Sequence, residues 1–78
     1  MKIFTSDKDG EYQQWWRNYL NSIGMFNRKY KSNSEVVEHI NLRLSEHSLR
    51  LTKVGKILLT YVIEGEEKDV TFFLLKWL

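Results

Sequence analysis

Tyr12, Trp15, Trp16, Tyr19, Leu20 and Ile23 recur at i, i+3, i+4, i+7, i+8 and i+11. That spacing returns to one face of a 3.6-residue helix, so this part of the chain reads as an amphipathic helix whose aromatic side must be covered. Ser6 followed by Asp9 resembles a capping box, with Asp in the usual place of Glu. Gly24 stands where a left-handed glycine ends a helix. The spacing predicts a first helix over residues 8–23. A second capping-box signal, Ser32 with Glu35, precedes a narrower stripe of Val36, Val37, Ile40 and Leu44. It predicts a second helix over 34–46.

The period then changes. Leu49 and Leu51 alternate with Arg50 and Thr52, as on a half-buried strand. Gly55-Lys56 reads as a tight hairpin turn leading into the apolar run 57–63. Gly65-Glu66-Glu67-Lys68 reads as a polar loop, and 70–78 as a last strand. With Lys2-Ile3-Phe4-Thr5 as a first strand, the expected order is β-α-α-β-β-β. The class is α+β, with an antiparallel sheet and two helices packed on one face, in a single domain over 1–78.

At 78 residues the core is small, and burial at roughly 25 cal/mol per Å² only narrowly exceeds the entropy of ordering. Chains of this size often add disulfides, a metal or a partner subunit. There is no Cys, which removes the first and suits a reducing compartment. The hydrophobic share of 42% and the charged share of 28% place the chain among folded domains. A net charge of +2 does not mark a nucleic-acid binder by itself. The early charges Lys2, Asp7 and Lys8 leave no room for a signal-peptide core, and no apolar run approaches a membrane span. The expected location is therefore the cytoplasm. Pro and Ala are both absent. Their codons are GC-rich, so the bias suits an AT-rich genome, such as that of a phage or mobile element.

The two last runs are apolar on both alternations. Ile57, Leu59, Tyr61 and Ile63 oppose Leu58 and Val62, and Val70, Phe72, Leu74 and Leu78 oppose Thr71, Phe73, Leu75 and Trp77. Small antiparallel sheets usually keep one wet face. Either the first strand and the connector at Phe26 and Tyr30 complete the cover, or part of the second face is a contact surface. The second case makes Phe73, Leu75, Trp77, Leu58 and Val62 candidate partner-binding residues, facing another protein or another copy.

Motifs for chemistry are sparse. His39 and His47 are too far apart for a helical zinc pair, and Glu35 with His39 has no evident third ligand, so no metal is expected. No Ser sits in a nucleophile elbow, and the four glycines are isolated, so no phosphate-cradling loop and no cofactor are expected. Tyr12 to Ser34 contains no acidic residue, while Arg17, Arg28, Lys29 and Lys31 occur among Trp15, Trp16, Tyr19, Phe26 and Tyr30. Basic residues interleaved with aromatics can hold single-stranded nucleic acid. The helical spacing already explains most of those aromatics as core.

The opening Met1-Lys2-Ile3-Phe4-Thr5-Ser6-Asp7, the helix with Glu11, Tyr12 and Trp16, and Leu49-Arg50-Leu51-Thr52 followed by 57–63 resemble the RelE/YoeB-like toxins of type II toxin–antitoxin pairs. The resemblance implies a ribosome-dependent mRNA-cleaving fold. Arg50 and Tyr61 match positions where that family places functional side chains, with Lys53 and Lys56 as neighbouring phosphate-charge candidates. The family's terminal strand often carries catalytic His, Tyr or Arg, whereas this chain reads Lys76-Trp77-Leu78.

The sequence thus favours a small non-enzymatic protein-binding modulator, such as a phage- or mobile-element-encoded inhibitor, with a protein partner or self-association. The alternatives are a RelE-like toxin and a nucleic-acid binder using 15–31.

Overall fold

In the computed structural model of the chain, residues 1–25, 29–55 and 60–78 are described. Along the chain come Lys2–Phe4 (β1), Gln14–Ser22 (α1), Asn33–Leu44 (α2), a 3-10 turn at Ser45–His47, Arg50–Val54 (β2), Thr60–Glu64 (β3) and Glu67–Trp77 (α3). The class is α+β, and the sheet is antiparallel with strand order β1-β3-β2.

The largest departure from the sequence reading is the last element, a helix rather than a strand. Its sequence explains the outcome. Val70, Phe73, Leu74 and Trp77 fall at i, i+3, i+4 and i+7, a helical stripe hidden inside an almost continuous apolar run. Glu67 and Asp69 lie in the first turn and Lys76 in the last, which suits the helix dipole. The place expected for the last strand, beside β3, is taken by β1, with Ile3 opposite Ile63. Among the described residues three helices, rather than two, pack with the sheet.

α1 begins at Gln14 rather than residue 8. The Asp7 carboxylate accepts hydrogen bonds from the Asp9 and Glu11 N–H groups at 2.9 and 3.1 Å, and Gly10 takes a φ of +83°. A short acidic side chain has captured the backbone in a turn, closed by the Ser6–Tyr12 bridge, before a helix can start. The other end follows expectation, with Gly24 left-handed at φ +74°.

α2 opens on its capping box. The Glu35 N–H donates to Ser32 Oγ, and the Glu35 carboxylate accepts the Lys31 N–H at 2.6 Å.

Register puts Val54 opposite Thr60, so the β2–β3 connection is longer than the two-residue turn expected at Gly55-Lys56. Gly55 does carry a positive φ. Lys56, Ile57, Leu58 and Leu59 lie outside the described residues.

Ile63 and Leu51 face the helices and join Trp15, Trp16, Tyr19, Leu20, Ile40, Leu44, Leu49, Val70 and Phe73 in one core. Asn41 on α2 ties the outer edge of β2. Its Oδ1 accepts the Leu51 N–H at 2.7 Å, and its Nδ2 donates to the Leu51 carbonyl at 3.5 Å. The amide thereby occupies edge groups that would otherwise be open to another strand.

A candidate binding surface on the third helix

α3 is anchored through its inner face. Phe73 is 2% exposed and meets Tyr19 edge-on at 4.8 Å between ring centroids, with Trp15 at 6.1 Å and His47 at 5.6 Å. Trp77 lies 5.5 Å from Tyr19, and Asn18 Nδ2 donates to the Trp77 carbonyl at 2.9 Å. That bond satisfies one of the open carbonyls at the end of α3 and ties the helix to α1.

The outer face is also apolar. Phe72 is 74% exposed, Leu75 66% and Leu78 80%. Phe72 and Leu75 are three residues apart, and Lys68 lies four residues before Phe72, so the three form one ridge pointing away from the core. Thr71, Phe72, Leu75 and Lys68 border a shallow open groove with Glu66 and Glu67 at its end. Lys68 pairs with Glu66 at 3.7 Å, and Lys76 lies over the Trp77 ring at 5.3 Å. An apolar centre inside a charged rim is the composition of a contact surface.

The partner-binding residues expected from sequence divide on this geometry. Leu75 is on the exposed ridge. Phe73 is core, and Trp77 is half-buried against Tyr19. Both were placed on one face with Leu75 by counting in twos; counting at 100° per residue turns them inward. Val62 is 1% exposed, on the sheet face opposite Ile63, and offers no surface to a partner. Leu58 lies outside the described residues. Phe72 and Leu78 are the residues that strand counting missed, and a helical count of 67–78 would have found Phe72 beside Leu75.

Among the described residues of the basic and aromatic segment, the three aromatics of α1 do not form a stacking platform. Trp15, Trp16 and Tyr19 are buried in the core, so their faces are not open to bases. Arg17, Lys29 and Lys31 are exposed, and Arg28 lies outside the described residues with Lys56. Arg50 and Tyr61 are not brought together. Arg50 shares its sheet face with Glu64, its ion-pair partner at 2.9 Å, and Tyr61 shares the other face with Lys53, whose ammonium lies 5.5 Å from its ring centroid. The Arg50 hydrogen bond holds the Glu64 carboxyl below its ordinary range.

Two further features bear on chemistry. A cavity of about 250 Å³ lies between α1, α2 and the sheet, lined mainly by Trp16, Leu20, Val36, Ile40 and Leu51. No acid, histidine, lysine or arginine is among its described lining residues. Tyr19 is 1% exposed, and its hydroxyl has no hydrogen-bond partner among the described residues. Burial pushes its pKa up to about 12. Among the described residues no three His, Cys, Asp or Glu side chains are grouped to hold a metal, and no helix is long and apolar enough to cross a membrane.

No protein-family model, no curated protein and no solved structure matches this chain.

Proposed function

We propose that this chain is a protein-binding modulator that acts by contact, docking the outer ridge of α3 onto another polypeptide. One observation carries the reading: Phe72 and Leu75 stand outward on a helix whose inner face already supplies its anchorage to the core, with exposed Leu78 just past its end. A helix presenting apolar residues at i and i+3 fits the helix-in-groove mode of recognition, in which a few large side chains supply most of the affinity. Phe72 is 74% exposed, so most of its ring stays in water unless a partner covers it. The reading extends to an inhibitor, of phage or mobile-element origin, that works by occupying a surface of its target.

The test compares tagged wild type with Leu75→Glu in affinity capture from nuclease-treated lysate, with an untagged copy of the chain co-expressed. The expected result is a stoichiometric polypeptide retained by wild type and lost from the variant, while the circular dichroism of the two is the same. Capture that is indifferent to Leu75, or that disappears on nuclease treatment, would contradict the proposal. Growth arrest on expression, relieved by Arg50→Ala, would replace it with the toxin reading.

A further inference from the structure

We infer that the polypeptide covering the ridge of α3 is a second copy of this chain, packed as an antiparallel, two-fold related pair of α3 helices. This rests on the reading of the ridge as a protein-binding surface and adds the identity of what binds.

The argument comes from the charges beside the ridge. At 100° per residue, Asp69 and Lys76 lie on one flank of the Lys68–Phe72–Leu75 line, and Thr71 and Leu78 on the other. Asp69, Phe72 and Lys76 also border one groove beside the 3-10 turn, with Glu46 and His47 across it. Asp69 and Lys76 are seven residues apart, so opposite charges stand two turns from each other along the same edge.

A two-fold axis perpendicular to a helix pair brings each flank against itself, run in the opposite direction. Asp69 then faces Lys76 of the second copy, and Lys76 faces Asp69 of the second copy, giving two reciprocal ion pairs. In the same register Phe72 packs against Phe72 of the copy with Leu75 of the copy beside it, and the Thr71 and Leu75 side of each ridge lies along its own counterpart. A parallel pair would set the Asp69–Lys76 flank against the uncharged Thr71–Leu78 flank and leave both charges unmatched. The charge pattern therefore selects antiparallel self-pairing.

Lys76 is exposed and Asp69 half-buried. The ion pairs among the described residues are Arg43–Glu46, Arg50–Glu64 and Lys68–Glu66, and Asp69 and Lys76 enter none of them. The Trp77 ring under Lys76 leaves the ammonium exposed at the rim. Stable interfaces bury about 1,200–2,000 Å² in total, and a contact confined to one short ridge on each copy is smaller than such interfaces draw on. The pair is therefore expected to associate at micromolar concentration, more weakly at high salt.

Sedimentation velocity of the purified chain, across a concentration series spanning the micromolar range, tests this. The expected result is a reversible monomer–dimer equilibrium that Phe72→Glu abolishes. Asp69→Lys and Lys76→Asp should each weaken the dimer by about tenfold, because each turns two attractions into two repulsions. The double variant Asp69→Lys with Lys76→Asp restores the pairs with reversed sign and should dimerise within about twofold of wild type. Circular dichroism of each variant confirms that it is folded.

A dimer unaffected by Phe72→Glu, or a double variant no better than the singles, would overturn the inference. So would a chain that stays monomeric throughout. If that monomer still captures a different protein in a Leu75-dependent way, the inference falls and the proposed function stands. If it captures nothing, both fall.

Discussion

α1 and α3 are neighbours in the core and both anchor there through aromatic rings, yet they differ in how much of their apolar surface the fold uses. α1 turns Trp15, Trp16, Tyr19 and Leu20 inward and leaves exposed Arg17 and Asn21 at its surface. α3 turns Val70 and Phe73 inward, with Leu74 and Trp77 beside them, and still leaves Phe72, Leu75 and Leu78 outside. One helix has the apolar surface its packing requires. The other has a second set, and the excess is what points to a partner.

The inner faces should behave alike. Trp16→Ala and Phe73→Ala each remove a buried ring and are expected to cost about 3–5 kcal/mol, read by urea unfolding. A small cost at Phe73 would mean that α3 is only loosely docked.

A smaller effect is expected at the joint that orients α3. A Cβ on Gly65 would run into the buried Leu49 side chain and press on the Ser48 carbonyl. Gly65→Ala should therefore destabilise by about 1–3 kcal/mol, since overpacked side chains shift backbone as well as rotamers. A neutral result would mean that the β3–α3 joint gives way easily.

On the α1 side, Tyr19 touches Phe73 and Trp77 with its ring and nothing polar with its hydroxyl among the described residues. Tyr19→Phe should change stability by no more than about 1 kcal/mol, because no hydrogen bond is lost. It should also alter the alkaline limb. The Tyr19 pKa is near 12 when folded and about 10 unfolded, so above pH 10 the unfolded state releases a proton that the folded state keeps. Stability therefore falls as pH rises from 10 toward 12, by up to about 1.4 kcal/mol per pH unit, and the Phe variant should lose that contribution. Equal alkaline slopes in wild type and variant would show that the hydroxyl reaches water.

The sequence carried the helix with the strongest period and the class, and it failed where two periods overlapped. α1 and α2 were legible because polar residues interrupt their stripes at 3.6-residue spacing. Residues 70–78 contain so few polar interruptions that alternation and helical spacing both fit, and apolar runs of that length do not choose between strand and helix. The acidic first turn and Lys76 near the end were the signals that favoured a helix. The candidate site suffered from the same choice. Counting in twos grouped Leu75 with Phe73 and Trp77, whereas the helix groups it with Phe72. The start of α1 was displaced for a different reason. Asp7 satisfies two backbone N–H groups within its own turn, a local competition that a periodic count of apolar residues does not register.

The outer ridge of α3 is spare to the fold if its apolar residues make no contact that the core needs. Urea unfolding of the double variant Phe72→Glu with Leu75→Glu, in protein dilute enough to be monomeric, tests it most directly. The expected result is a cooperative transition with a stability within about 1 kcal/mol of wild type, as for changes at exposed helix positions. A loss as large as that of Phe73→Ala would contradict it, because it would place the ridge inside the core.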